Sequence, residues 1–444
     1  MTTDEMHADV AVIGAGMGGL TVAATVAQAG LSVVVVEVSS DIGGSAALSE
    51  GYVWTAPSVD VFRKQDPLGD AERFQIMLDE SQMVFEWLQS VGVHVGRPLA
   101  EVLGFGVGRQ IDVHEYLQRC RRIVESSGGW VLLRTFPRFL LDREEGVSGV
   151  EVQDLNNDAV ARIVAPNVVL ATGGVQANAD ARAELLFPAA RSLVLRSNTF
   201  SQGDGLRLAV EVGAELTAPT SGFYGRLVPY PMEQFEPKDY AALAQYHSEH
   251  GILLDKYGRR FTDESLGDHV NAGVVAPRGP VLLVTDERIR REHMMRPFIP
   301  GMSAFDKMAE AGRRGANYVV ADSVAALAPM TLAWGYDHDG IEASISSFNS
   351  SVVKNAEMEP PRARHRRALT EPPFAALEVQ AAITFTYRGL ATDHDGRVLS
   401  NGSAIHGLFA AGVDAGGLNV WGFTGGLMRG VALGRRTGKA IVAS

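Results

Sequence analysis

The sequence predicts an α/β protein with a parallel, doubly wound sheet, and three observations near its start carry that prediction. An apolar run, Val10-Ala11-Val12-Ile13, passes into the glycine turn Gly14-Ala15-Gly16-Met17-Gly18-Gly19. An Ala-rich helical stretch, Thr21 to Ala29, follows and stops at Gly30. A second apolar run, Val33-Val34-Val35-Val36, then ends in the acid Glu37. Strands buried on both faces read as unbroken apolar runs, and a helix between two of them makes a parallel βαβ unit.

The turn has a chemical purpose beyond the fold. Gly14 permits a tight turn, Gly16 lets a pyrophosphate approach the backbone, and Gly19 lets the helix pack on the strand. Gly18 lies inside the same turn. An anion at this helix N-terminus meets open N–H groups and the positive end of the macrodipole. Glu37, with Val38 beside it, stands where such a unit places a carboxylate for ribose hydroxyls. The first unit is therefore expected to be a Rossmann-type dinucleotide-binding domain.

Composition narrows the partners. The 444 residues suffice for two or three domains, and the net charge of −12 argues against nucleic acid or an anionic membrane. Cys120 is the only cysteine, so no disulfide and no cysteine metal site are expected, and no other metal site is read from the sequence. No apolar run is long enough to span a membrane, and the start at Asp4 and Glu5 leaves no room for a signal peptide. A cytoplasmic protein is the expectation.

Further along, Gly43-Gly44-Ser45 offers N–H groups and a hydroxyl to a second stretch of phosphate or ribityl chain. From here to Ser49 the sequence resembles the flavoprotein subunits of fumarate reductases and succinate dehydrogenases. That resemblance implies FAD along this segment. It also implies non-covalent binding, because no histidine stands between Ser45 and Ser49.

Helical spacing covers residues 70–92 and Val113 to Ser126, followed by a short strand from Trp130 to Arg134. A hairpin turns at Asn156-Asn157-Asp158. The strand Asn167–Leu170 then runs into Ala171-Thr172-Gly173-Gly174, a second flavoprotein signature. The resemblance extends to Asn178 and to Ser201-Gln202-Gly203-Asp204-Gly205, which lies close to the flavin in relatives. A third signature, Gly407 to Gly417, carries Gly412 and an acid near the ribityl chain; most relatives have that acid directly after the glycine, whereas here Val413 intervenes before Asp414. The turn ending in Gly425 opens the last helix at Leu427, whose N-terminus is expected at the flavin pyrimidine.

Between these signatures the composition changes. Aromatics and prolines cluster after Leu216, and the stretch Gly251 to Glu264 resembles a hairpin of the family's capping domain. Helical patterns run from Asp322 to Ala333 and from Gly340 to Asn355. The basic stretch Pro360 to Arg367 reads as a solvated crossing back to the first domain. The expected organisation is an FAD-binding domain at 1–215 and 369–444 with an inserted α+β capping domain at 216–368.

Only one dinucleotide fingerprint is present, so a nicotinamide site is not expected, and electrons pass between FAD, an organic substrate and an unidentified acceptor. The family exchanges hydride between flavin and a carbon next to a carbonyl or carboxylate, with proton transfer at the neighbouring carbon. The protein must supply an acid or base and donors for developing enolate charge. Three dicarboxylate-binding positions depart from the family. No arginine stands between Ser265 and His269, the substrate histidine falls at Thr384-Phe385, and the substrate arginine falls at Phe423. Ile383 to Tyr387 instead looks like the tricarballylate dehydrogenase branch, and the turn before the last helix resembles 3-ketosteroid dehydrogenases.

Candidates for chemistry follow. His269 stands where the family keeps its proton-transfer group, and imidazole serves near neutral pH. Arg388 is positioned to clamp a carboxylate, with Tyr387 beside it. Tyr224 and Arg226 lie in the first cap stretch. The expected reaction is dehydrogenation that forms a C=C bond next to a carboxylate or ketone. The alternatives are reduction of an activated C=C bond, or a flavin module without turnover.

Overall fold

A computed structural model describes residues 4–143, 146–220, 222–232, 235–299 and 303–444. The chain folds into two compact units, the first comprising Met1–Leu186, Ser197–Phe223 and Phe385–Ser444, the second Phe187–Arg196 and Tyr224–Thr384.

The first unit is built on a six-stranded sheet. Its order is Arg397–Ser400, Ser403–Ala410, Asn167–Leu170, Val10–Ile13, Val33–Val36 and Trp130–Leu132. All neighbours are parallel except the first pair. Val10 pairs with Val33 and Ile13 with Val36, so both valine-rich strands end level and deliver their loops to one edge. Every residue of these two strands is buried, as expected for strands covered on both faces. A four-stranded sheet (Asp4–His7, Val160–Val164, Gly146–Asp154, Thr135–Arg143) and a three-stranded one (Tyr52–Thr55, Gly106–Gln110, Leu99–Val102) complete the unit.

The first helix runs Met17–Gln28 and so takes Gly18 and Gly19 into its first turn, four residues before the expected start at Thr21. Packing overrides glycine's poor helix propensity there, because neither position has room for a side chain. The helical pattern at 70–92 breaks into Ala71–Ser81 and Val84–Ser90. Asp70 caps the first of these by accepting from the Arg73 N–H at 2.9 Å. The helix at Val113–Ser126 has the expected limits, with Asp112 as its cap.

The second unit centres on the thirteen-residue strand Phe374–Thr386. Val281–Thr285 and Tyr318–Ala321 pair with it antiparallel, and Ile252–Leu254 extends the sheet beyond Val281–Thr285. Val194–Leu195 pairs parallel with Ala382 and Ile383, which draws 187–196 into this unit. The helices expected at 322–333 and 340–355 are shorter or shifted, at Val324–Met330 and His338–Val353. Pro329 and a 3-10 turn at Leu332–Trp334 end the first one early. The stretch 251–264 closes through a single bridge, Leu254 to Arg260.

The basic crossing at 360–367 is mostly exposed, as expected of a solvated run, with Arg362 as the exception. Arg362 is 2% exposed and donates to Glu264 Oε2 at 2.8 Å. Arg364 donates to the Ser265 carbonyl at 2.7 Å. One basic side chain, Arg362, is therefore spent inside the unit, while Arg364 bonds a carbonyl from an exposed position. Among the described residues, no helix is long and apolar enough to cross a membrane.

Candidate active site

The glycine signatures of the first unit pack against one another. Gly14 has φ +106°, and a Cβ there would lie 2.2 Å from the Ala171 carbonyl oxygen. A Cβ on Gly18 would lie 2.8 Å from the Gly412 nitrogen, and one on Gly19 would lie 2.0 Å from the Gly14 oxygen. Gly16 bridges to Gly43, whose N–H donates to the Ala15 carbonyl at 2.8 Å. Four stretches of chain, at 14–19, 43, 171 and 412, thus form one backbone cradle, and side chains are excluded from its joints. Gly44 (φ +50°) follows Gly43 (φ +117°) in the left-handed region, where glycine carries no steric penalty.

Glu37 is buried and fixes this loop directly. Its carboxylate accepts from the Ala15 N–H at 2.8 Å and the Ser39 N–H at 2.9 Å. Burial raises its pKa, against the pull of those N–H bonds. Each oxygen keeps a second acceptor position, so binding the loop does not exclude the expected ribose contact. Val38 beside it is half-buried.

Asp414 departs from the expected ribityl contact in how it is held. It is fully buried and accepts from the Thr172 N–H at 2.5 Å and the Thr172 hydroxyl at 2.9 Å. That hydroxyl oxygen in turn accepts from the Gly205 N–H at 2.9 Å. The acid therefore ties the second signature to the 203–205 turn, while Val413 occupies the place after Gly412. Burial pushes the Asp414 carboxyl up to about 7. Asp204, in the first turn of the helix Asp204–Glu211, is raised as well, again by burial.

Gly173 and Gly174 face polar side chains. A Cβ on Gly173 would lie 2.8 Å from Ser201 Oγ, and one on Gly174 would lie 2.2 Å from Thr386 Oγ1 and 2.8 Å from Gln176 Oε1. Ser45 Oγ lies 2.6 Å from Ser197 Oγ and accepts from Asn198 Nδ2 at 2.5 Å. Thr386 Oγ1 and Gln176 Oε1 are buried without hydrogen-bond partners among the described residues. Two other expected contacts are spent on the chain itself. Asn178 caps the helix Ala179–Leu185 through the Ala181 N–H at 3.0 Å, and the Ser49 hydroxyl donates to the Ala46 carbonyl.

The last helix runs Gly426–Ala443. Gly425 before it has φ +95°, with the Trp54 carbonyl 1.9 Å from where its Cβ would stand. No side chain caps this helix, which leaves its first N–H groups for an anionic group. Leu427 packs on the core. Beside this terminus, Phe423 meets Trp54 edge-on at 5.4 Å and Phe385 at 5.9 Å, and a Cβ on Gly426 would touch the Phe385 ring at 3.4 Å. Tyr387 is buried, 5.9 Å from Phe385. Arg388 does not present an open fork, since it donates to the Thr217 carbonyl at 3.2 Å and the Leu185 carbonyl at 3.1 Å.

Sequence reasoning passed over Arg429 in the same helix. It is 3% exposed and donates to the Ala415 carbonyl, while Nε and Nη1 have no partner among the described residues. Burial pulls it down to about 10. The signal was available as a cation within the apolar stripe Met428, Val431 and Ala432.

The second unit brings Tyr224, Arg226 and His269 together and adds Asp268. Arg226 is buried, bonds the Asp268 carboxylate through Nη1, and donates to the Tyr224 hydroxyl through Nη2 at 2.6 Å. Its guanidinium also lies over the rings of Tyr224 and Tyr246 at 5.1 and 5.0 Å. Burial opposes its charge, but Asp268 and the two tyrosines more than offset that, so its pKa rises. Burial likewise opposes the Asp268 charge, yet Arg226 and His269 hold its pKa below the ordinary carboxylate value. His269 Nδ1 lies 3.8 Å from Asp268 Oδ1, and its buried Nε2 has no partner among the described residues. The result is a fixed ion pair flanked by a phenol and an imidazole, both able to move protons.

The residues of the first unit fit FAD on their own geometry. Gly14, Gly18 and Gly425 keep side chains out of a backbone cradle, and an uncapped helix N-terminus adjoins it. The comparisons agree. The FAD binding domain family matches residues 9–426. A fumarate reductase (cytochrome) of Shewanella frigidimarina is 24% identical over 93% of this chain and 72% of its own length. A 3-oxosteroid 1-dehydrogenase of Mycobacterium tuberculosis is 26% identical over 60% of this chain and 51% of its own. The solved 3-ketosteroid delta1-dehydrogenase of Sterolibacterium denitrificans, in complex with 1,4-androstadiene-3,17-dione, shares the fold. It has a TM-score of 0.77 at 19% identity, covering 98% of this chain and 99% of that one.

Proposed function

We propose, from the premise that this chain belongs to the FAD binding domain family, that it desaturates a small organic substrate next to a ketone or carboxylate. The protein is an FAD-dependent oxidoreductase acting on CH–CH groups. FAD, when bound, supplies the hydride acceptor. Non-covalent attachment is supported by the lack of a histidine between Ser45 and Ser49.

One observation carries the reading of substrate. Where dicarboxylate reductases keep a substrate arginine, Phe423 packs among Trp54 and Phe385. An aromatic wall favours an apolar, carbonyl-bearing substrate over a dicarboxylate, whose second charge it would leave unpaired. The proton step is assigned to the second unit. His269 takes the proton through its unpartnered Nε2, and Asp268 steadies the imidazolium that results. The Arg226 cation lies beside the Tyr224 phenol oxygen, so that a tyrosinate formed by proton donation is charge-compensated. Arg429 offers a buried cation in the first unit, and Tyr387 and Arg388 position the strand that carries Phe385.

The reverse reaction, reduction of an activated C=C bond, uses the same groups and is supported by the relative named a fumarate reductase. Anaerobic mixing of the flavoprotein with cyclic ketones and monocarboxylic acids decides between the readings. Bleaching of the flavin by a saturated ketone is expected. Reoxidation of chemically reduced flavin by unsaturated compounds, with no bleaching by saturated ones, would establish the reductase instead. Inertness to both series would leave a flavin module without turnover.

A further inference from the structure

Four imidazoles converge within the second unit from three separate stretches of chain. His247 lies on the 3-10 turn Tyr246–Glu249, and His250 follows that turn directly. His293 sits on the π-turn Arg290–Met294, a distortion often found at functional sites. His365 belongs to the basic crossing and has φ +53°. The rings of His250 and His293 stack with centroids 3.5 Å apart and planes 10° from parallel. The His365 ring lies 4.3 Å from that of His250. His247, Glu249, His250 and His293 are among the residues lining a cavity of about 230 Å³.

We propose that His250, His365 and Glu249 form a binding site for a borderline divalent cation of the Zn²⁺ class. One donor atom from each residue falls within 4.8 Å of the others, and His250 Nε2 lies 3.5 Å from Glu249 Oε1. A tetrahedral ion with bonds of about 2.0–2.1 Å holds its ligands roughly 3.3 Å apart, so closing the site takes a movement on the order of 1 Å. Two imidazoles and one carboxylate suit zinc, cobalt or nickel rather than calcium or magnesium, and they leave a fourth position for water. The stacked His293 ring steadies His250 from one face.

Metal binding uses neutral imidazoles and releases whatever protons its ligands carry. His247, 4% exposed, has an Nε2 without a hydrogen-bond partner on the same cavity.

The nearby cations are largely committed elsewhere. Arg362 bonds Glu264 at 2.8 Å, Arg364 bonds the Ser265 carbonyl, and Arg367 pairs with Glu292 at 3.1 Å. Among the described residues, no lysine or arginine pairs with the Glu249 carboxylate, whose Oε1 faces His250 Nε2. A bound ion clips the crossing at His365 to the turn at 249–250, positions that the sequence alone does not bring together.

The test uses flavin-loaded protein without a histidine tag, treated with chelator and titrated separately with Zn²⁺ by calorimetry and with Co²⁺ by visible absorption. One equivalent is expected to bind, with Co²⁺ giving the d–d bands of a low-coordinate site. His365→Ala and Glu249→Gln are each expected to weaken binding by roughly 10–100-fold or more. His293→Phe, which keeps the stack, is expected to retain the site. Unchanged flavin content and unfolding temperature in the chelator-treated variants show that each still folds. Absence of binding, or equal binding by His365→Ala and Glu249→Gln proteins that retain their flavin, overturns the proposal.

Discussion

Asp414 holds Thr172 through two hydrogen bonds, from its main-chain N–H at 2.5 Å and from its hydroxyl at 2.9 Å, across 242 residues of chain. The pair joins two glycine signatures, and the acid is fully buried. Its folded pKa is raised from an ordinary 3.8 to about 7 by that burial. The folded protein therefore holds this proton more tightly than the unfolded chain does. The corresponding stability is fully present below 3.8 and is lost as pH rises through 7. Urea midpoints across that window are expected to show this loss, and Asp414→Asn to remove this contribution. An Asn variant with the same pH slope as the parent would remove Asp414 from the account.

Gly18 and Gly30 separate the cradle from the fold. A Cβ at Gly18 meets the Gly412 backbone at 2.8 Å, whereas one at Gly30 meets nothing within 4 Å. Gly18→Ala is expected to be isolated with little flavin. Gly30→Ala, strained only by its φ of +90°, is expected to keep its flavin at a cost of about 1 kcal/mol. Flavin absorbance per mole of protein reads the difference.

The Arg226–Asp268 pair is buried on both sides. Arg226→Met leaves the buried Asp268 without its arginine and with only His269 beside it, with an expected loss of about 3–5 kcal/mol. Combining it with Asp268→Leu is expected to restore much of the stability but not the turnover. A double variant that also recovers kcat would show that the pair only holds the fold.

His269→Gln retains a polar side chain without a titrating proton carrier. If the imidazole is the base, kcat falls by roughly 10²–10⁴-fold. Flavin content is expected to be unchanged. Normal turnover would exclude His269 from the proton step.

Phe423→Ala removes a ring that Trp54 and Phe385 both contact. The expected cost is about 3–5 kcal/mol, as for other buried aromatic truncations. KM for ketones is expected to rise more than kcat falls, because the ring binds substrate rather than reacting with it. Steady-state kinetics on one ketone series checks this.

The strands at Val10–Ile13, Val33–Val36 and Asn167–Leu170 were legible because unbroken apolar runs bounded by glycine turns have few other folded forms. The first glycine turn was legible because a phosphate approaching backbone N–H groups demands glycine at set spacings, and the later two signatures were legible through the family resemblance. Element ends were less so. The first helix begins at Met17 because tertiary packing excludes side chains at Gly18 and Gly19, which propensity alone counts against a helix. Arg362 read as solvated because charge in a Pro-rich run usually is, but Glu264, 98 residues earlier, neutralises it inside the unit.

From the sequence alone came the α/β class and the dinucleotide cradle, which rest on local patterns of apolar period and glycine spacing, and FAD, which the family resemblance implied. Tertiary structure alone decided the partners of each polar side chain. It turned Asp414 toward Thr172, spent Arg388 on two carbonyls, paired Arg226 with Asp268, and gathered His250, His293 and His365. The physical reason is range. Backbone conformation is biased by neighbours within a few residues, whereas a buried charge must find its counter-charge wherever the fold delivers one.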